Sequence, residues 1–227
     1  RVQQGELLDL LVRGQQVALD PVGEELQGAL ALGAGRHVLA LGLELSLLLS
    51  PFLLQWVVDG VLVGACGLNQ ACHGEHEQPL YLEQYLEQPV EAAIETRLGV
   101  RPARHRIIEV GNLACSEPGH ARLMFAALCR LLCDNALDYV VFTGTAKLRN
   151  SFTRLRLNPV ELAPAQAHQV GEDASAWGEY YRCQPMVMAG DINQWREVLA
   201  QSSLLLNLLG PMPRLFNHAD IDRRCAQ

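Results

Sequence analysis

The period at which apolar residues recur changes several times along this 227-residue chain, most sharply between residues 104 and 133. His105-Arg106-Ile107-Ile108-Glu109-Val110 is a short, partly β-branched run that predicts a buried strand. Gly111-Asn112 breaks it, Leu113-Ala114-Cys115 follows, and Ser116-Glu117-Pro118-Gly119-His120-Ala121 reads as a loop. From Ala121 to Cys133 the apolar positions take helical spacing through Leu123, Ala126, Ala127, Leu128, Leu131 and Leu132. Strand, glycine-bearing loop and helix in succession can offer backbone N–H groups and a positive dipole end to phosphate. The same order also serves as an ordinary strand-to-helix connection.

The flanking segments continue the α/β pattern. Phe52–Val58 and Val61–Gly67 around Asp59-Gly60 predict a β-hairpin with a type I′ turn. Pro89 opens a helix through Leu98, with Val90, Ile94 and Leu98 on one face. Residues 138–145 form a second buried strand, parallel to the first because a helix connects them. Lys147–Leu155 is a short helix whose polar residues lie near the carboxyl end of that strand, where α/β folds place ligands. Residues 158–162 make a weak strand, and 185–192 a last one.

The ends are less regular. Gly5–Arg13 predicts a short amphipathic helix, and Asp20-Pro21 resembles a helix start, although Gly23, Gly28, Gly33 and Gly35 oppose a helix there. Residues 1–50 thus read as a helical, leucine-rich N-terminal part, 51–192 as the core, and 193–227 as a tail packing on it. The tail's Leu204–Leu209 run packs across the domain or contributes to a homodimer contact. The run from Val38 to Leu54 is interrupted by Glu44, Ser46, Ser50 and Pro51, too short and broken for a spanning helix. It reads as core-forming, with an interfacial segment as the alternative.

Composition narrows the function. A net charge of −7 with no basic run argues against a nucleic-acid surface, and 49% hydrophobic residues suffice for a full core. Seven cysteines without repeating spacing read as reduced thiols of a cytoplasmic protein, and Arg1 does not open a secretory signal. Cys72, His73 and His76 share a polar loop, but no second ligand pair stands near at finger spacing, so no metal site is expected.

Glu109 and Glu83 are each embedded among apolar residues, a setting that perturbs a carboxyl for proton transfer. The structural alternative for Glu109 is a strand-edge carboxylate paired with Arg104 or Arg106. Tyr85, Trp177, Tyr180 and Tyr181 either line a pocket or pack a core. Asn150 either binds phosphate or caps a helix. Cys115 lacks a His–Asp constellation beside it and reads as a structural thiol.

Several blocks taken together resemble the thermostable hemolysin family, whose members are similar to GNAT acyltransferases. They are residues 82–86 (LEQYL), 108–114 (IEVGNLA), 141–145 (VFTGT) with 148–152 (LRNSF), and 177–181 (WGEYY) with 187–191 (VMAGD). The Glu109 block is also distantly similar to acyl-homoserine lactone synthases, which carry Ser-Arg where this chain has Gly111-Asn112. The 116–121 loop keeps the Gly and Ala of an acetyltransferase pyrophosphate loop, with Ser at its first position. The resemblance implies a GNAT-like α/β fold, a central mixed sheet flanked by helices. It implies an N-acyltransferase that moves an acyl group from acyl-CoA or acyl carrier protein to a small amine, with no permanently bound cofactor. Leu113, Cys115, Ser116, Gly119, His120, Ala121, Arg122 and Asn150 would hold the donor. Glu109 and Glu83 would serve the amine, and Tyr85, Asn112, Phe142, Trp177, Tyr180 and Tyr181 would line the substrate pocket. The rivals are a membrane-active or lipid-binding protein on a degenerate acyltransferase fold, and a non-catalytic partner-binding module.

Overall fold

A computed structural model describes residues 30–32, 37–43, 52–58, 61–73, 76–115, 118–171 and 180–201. The side chains of 114–123 lie outside that description. So do the expected helix Gly5–Arg13, the loop residues Ser116 and Glu117, Trp177 and the Leu204–Leu209 run.

Ten strands, β1 (Leu30–Leu32), β2 (His37–Leu43), β3 (Phe52–Val58), β4 (Val61–Gln70), β5 (Cys72–His73), β6 (His76–Glu77), β7 (Ile107–Cys115), β8 (Tyr139–Gly144), β9 (Val160–Pro164) and β10 (Met186–Asp191), are described. Eight of them make one mixed sheet in the order β1-β2-β3-β4-β7-β8-β10-β9, and β5 pairs with β6 alone. The helices are α1 (Val90–Leu98), α2 (Pro118–Asp134), α3 (Ala146–Arg154) and α4 (Ile192–Ala200). This is the α/β architecture expected, a central mixed sheet flanked by helices.

The expected hairpin forms, with Val58 opposite Val61 across a two-residue connection. The N-terminal part departs from expectation: Leu30–Leu32 and His37–Leu43 are antiparallel strands rather than helix. Glycines that disfavour a helix are compatible with extended backbone, and β2 pairs with β3 along its whole length. The 38–54 run therefore contributes β2 and the start of β3, and Leu54 is fully buried.

Side chains alternate across the sheet with period 2, and each face acquires its own core. Ile108, Val110, Val140, Phe142 and Met188 point to the face covered by α2 and α4. Ile107, Tyr139, Val141, Val187 and Ala189 point to the other, covered by Leu82, Tyr85 and the α1 residues Val90, Ala93 and Ile94. Leu98, expected on the same apolar face of α1, is 37% exposed because the helix ends there on left-handed Gly99. Phe152 from α3 centres an aromatic group on the first face, with ring centroids 4.7 Å from Phe125, 5.1 Å from Phe142 and 5.2 Å from Trp195.

The last strand, expected through Ile192, ends at Asp191, and α4 follows it directly. Asp191 caps the helix by accepting from Gln194 N (3.0 Å), and Ile192, Trp195 and Leu199 bury one side. The thiols of Cys129 and Cys133 on α2 both donate to the Ile192 carbonyl (3.8 and 3.6 Å), tying α2 to α4. A Cβ at Gly190 would overlap the Trp195 indole. Gly190→Ala is therefore expected to destabilise by about 1–3 kcal/mol in denaturant unfolding, and to cost far less in a Trp195→Leu background. Equal costs in both backgrounds would place the conflict elsewhere.

Candidate functional site

The site begins where the parallel pair β7/β8 comes apart. Ile107 pairs with Tyr139, Ile108 with Val140 and Glu109 with Val141, and there the pairing ends although both strands continue. From that point the β7 edge facing β8 no longer takes part in a ladder, and the two strands bound a fork. On its other edge β7 stays paired with β4, with a register shift between Ala65 and Gly67. Gly67 faces Gly111 and Ala65 faces Ala114, so Asn112 and Leu113 together oppose Cys66 as a β-bulge. Asn112 takes φ 53°, a left-handed conformation that asparagine tolerates better than most residues. The expected break at Gly111-Asn112 is thus a bulge inside one strand. His105 and Arg106, expected in the strand, form a 3₁₀ turn before it.

Helix starts flank the open end of the fork. α2 begins at Pro118, three residues earlier than the spacing suggested. Proline suits a first helical position because the N–H it lacks would have no intrahelical partner. Gly119 and His120, expected in the loop, therefore belong with Ala121 and Arg122 to the first turns of α2. α3 begins at Ala146 just beyond β8, with Thr145 as N-cap. Asn150 is exposed in the interior of α3, so it does not cap the helix.

Glu109 lies at the last paired position, only 6% exposed. Its carboxylate accepts backbone hydrogen bonds from Tyr81 N (2.8 Å, Oε2) and Leu82 N (3.0 Å, Oε1), and the Asn69 side chain also bonds to it. Asn69 stands directly opposite Glu109 on β4. Burial pushes the carboxyl up to about 7, against the lowering effect of these three donors. Neither Arg104 nor Arg106 pairs with it: Arg106 reaches Asp138 (3.3 Å), and Arg104 is engaged elsewhere.

Glu83 has a different environment. It sits in the 3₁₀ helix Tyr81–Tyr85, accepts from Leu80 N (2.8 Å) and Val90 N (3.0 Å), and binds both terminal nitrogens of Arg104 (2.8 and 2.6 Å). Arg104 also reaches Glu91 (2.7 Å) and the carbonyls of Ala71 (3.1 Å) and Gln78 (2.8 Å). Burial alone would raise the Glu83 carboxyl, but Arg104 and the two backbone donors outweigh it and hold it below its usual value. Glu83 is therefore paired with Arg104 and joins the 3₁₀ helix to α1, whereas burial leaves the Glu109 carboxyl near 7.

The tyrosines gather on the same face. The Tyr85 and Tyr181 hydroxyls are hydrogen-bonded (2.8 Å), Tyr81 meets Tyr85 edge-on at 6.4 Å, and Tyr180 meets Tyr181 at 5.5 Å. Burial pushes the Tyr180 phenol up to about 12, and a hydrogen bond with Thr143 on β8 opposes the shift. Phe142 is on the opposite face, packed against Phe152. Glu109, Glu83, Tyr85, Tyr180 and Tyr181 thus come together, whereas Phe142 and Asn150 do not join them. Asn69 and Thr143 were missed. Thr143 is a polar residue near the end of an otherwise apolar strand, whereas Asn69 lies past the expected strand end at Gly67, in the stretch by which β4 continues to Gln70.

Residues 40–195 match the family described as Thermostable hemolysin. The chain belongs to that family. No curated protein matches this thermostable hemolysin family member. Among solved structures it aligns with the AHL synthase LasI at 13% identity, over 63% of this chain and 64% of LasI, with a TM-score of 0.43. It therefore spans just under two thirds of LasI's length. It aligns with BjaI, a CoA-dependent acyl-homoserine lactone synthase solved with SAM and isopentyl-CoA, at 15% identity over 78% of this chain and 74% of that one, TM-score 0.49. It also aligns with FeeM, an N-acyl amino acid synthase from uncultured soil microbes, at 18% identity over 66% and 74%, TM-score 0.43. Among the described residues, no helix of this hemolysin-family chain is long and apolar enough to cross a membrane, and no group of three metal-ligating side chains occurs.

Proposed function

We propose that this protein is a GNAT-like N-acyltransferase that takes an acyl group from a thioester donor, acyl-CoA or acyl carrier protein, to a small amine. The observation that carries the reading is the fork: two parallel strands that part after Val141, with a bulge on one and a buried carboxyl at the point of parting. A pantetheine arm can extend the released edge of β7 as an extra strand would. The N–H groups near Leu113 stand where the bulge redirects them and can polarise the thioester carbonyl. The first turn of α2 offers backbone donors and a positive dipole end to the donor's phosphate.

The chemical step is direct. The amine nitrogen attacks the thioester carbonyl carbon, an amide C–N bond forms, and the C–S bond breaks with its electron pair leaving on sulfur. Glu109 takes the proton lost by the amine, which is returned to the thiolate. A base near 7 is suited to that exchange at neutral pH. Holding donor and acceptor together in the fork supplies the remaining advantage.

The reading is tested by thermal unfolding of the full chain with coenzyme A, acyl-CoAs of several lengths and an octanoyl carrier protein. A donor at about 100 times its dissociation constant adds roughly 2.7 kcal/mol to stability, which is readily seen as a rise in Tm. The expected result is a rise that grows with acyl length. If no donor shifts Tm, the acyltransferase reading is lost.

A further inference from the structure

We propose that Asn69 is a positioning residue of the site, whose side-chain bond aims the Glu109 carboxyl so that one acceptor lone pair is left for the amine. This inference rests on the acyltransfer reading above and names the group that fixes where the acceptor's N–H must arrive.

Asn69 and Glu109 are register partners on the antiparallel pair β4/β7, in the stretch by which β4 runs on to Gln70. Side chains directly opposite on such a pair share one face, with Cβ atoms about 4.5–5.5 Å apart. Leu68 and Ile108 belong to the core under α2 and α4, so Asn69 and Glu109, each one residue on, point to the face that carries the tyrosines. An ionised carboxylate offers about four lone-pair sites. Tyr81 N takes one on Oε2, Leu82 N one on Oε1, and the Asn69 side chain a third. The fourth is what remains for a substrate. Tyr81 and Leu82 donate from the backbone, so Asn69 is the donor of the three whose bond a substitution can remove. It is half-buried and belongs to neither core cluster, so its loss leaves the packing of both faces intact.

The groups packed on this face give the Glu109 step near 7 a defined background. The 3₁₀ helix brings Tyr81 and Glu83, whose charge raises the Glu109 carboxyl, and α1 brings Glu91; Arg104 pairs with both acids. β8 presents Val141 opposite Glu109, with Tyr139 and the Asp138–Arg106 pair further down, and burial pushes His105 down just before β7. The 180–183 turn brings Tyr180 and Tyr181, with Arg182 and Cys183 exposed beside them. Burial raises the phenols of Tyr85, Tyr139, Tyr180 and Tyr181. A hydrogen bond to the carboxylate favours its ionised form, so removing the Asn69 bond moves the step to higher pH. Aspartate moves it further, because it keeps the shape, loses the N–H donor and adds a like charge.

The experiment compares wild type, Asn69→Leu and Asn69→Asp between about pH 5 and about pH 10, with folding checked by Tm. Asn69→Asp, isosteric with the wild type, carries the test if Asn69→Leu does not fold. Glu109 is followed without turnover by carbon-13 NMR of labelled glutamate carboxyls, its signal being the one absent from Glu109→Gln. The expected midpoint moves up from about 7 by about one unit in Asn69→Leu, and further in Asn69→Asp. Turnover is measured with octanoyl-CoA and glycine, ethanolamine or tyramine, whichever the wild type acylates fastest. The pH at which the rate climbs should move with the NMR midpoint, kcat at pH 7 should fall about fivefold, and the donor KM should stay as it is. A merely structural Asn69 lowers the rate equally at every pH and leaves both midpoints in place, which overturns the proposal. An NMR midpoint that moves while the rate profile stays put also overturns it, since the bond then has no part in the reaction. If no amine is acylated, the NMR midpoint alone decides. A moved midpoint upholds Asn69 as the group that holds Glu109 although the acyltransfer reading has failed, and an unmoved one overturns it.

Discussion

Glu109→Gln is expected to lower kcat by about 10²–10³-fold while leaving the protein folded. The substitution preserves volume in a site that is 6% exposed, but the amide cannot take a proton from an amine. In the wild type the rate should climb as pH rises through about 7, because the base works only when ionised. In the variant that step should be gone. Stability gives an independent readout. The folded-state value lies above the ordinary 4.5, so the Glu109 contribution is full below about 4.5 and is lost as pH rises through about 7. Glutamine does not titrate, so the variant should compare more favourably with wild type at pH 8 than at pH 5. It bears a constant cost of about 1–3 kcal/mol, because one of the N–H groups of Tyr81 and Leu82 then faces an NH₂ donor. A variant that keeps both its rate and its pH step would remove Glu109 from the chemistry.

Arg104→Met should destabilise the fold by about 3–5 kcal/mol, the penalty of leaving buried carboxylates without their cation. The Arg104 side chain is 11% exposed, and those of Glu83 and Glu91 are 16% and 12%. One guanidinium gathers the carbonyls of Ala71 and Gln78, the 3₁₀ helix through Glu83 and α1 through Glu91. The hydrogen bonds it donates to Glu83, then to Glu91, hold it well above its already high ordinary value, so it stays charged at every working pH. Adding Glu83→Gln and Glu91→Gln to Arg104→Met should recover part of the loss in urea unfolding, because no buried charge then remains unpaired. Recovery would show that the single variant suffers from stranded charge. A triple variant worse than the single one would assign the cost to the lost carbonyl contacts instead. Because the 3₁₀ helix also donates the two N–H groups that hold Glu109, Arg104→Met should further lower activity at temperatures where it remains folded.

What the sequence determined by itself was local. Period-2 and helical runs located the hairpin, the β7–α2–β8 unit, α1, α3 and β10, because side chains near in sequence select the backbone that buries them together. The run Ile107, Ile108 and Val110 predicted a buried strand, and these side chains are buried, on both faces of the sheet. Where one element ran into the next without a breaker, the boundary was lost. The apolar run of β10 passes straight into Ile192, Trp195 and Leu199, and only the Asp191 cap announced α4. The bulge read as an end because Gly111-Asn112 is a turn-like pair, while the ladder with β4, more than forty residues earlier, carries the strand through it.

The tertiary structure decided what surrounds each candidate group. Glu83 and Glu109 looked alike in sequence; Arg104, 21 residues from one, and the Tyr81 and Leu82 amides, 28 and 27 residues from the other, separate a paired carboxylate from one poised near 7. The fork itself is a matter of register, since two parallel strands part where the bulge and their other neighbours take them. A pKa and a strand's departure from its neighbour both depend on groups distant along the chain, and their distances exist only once the chain has folded.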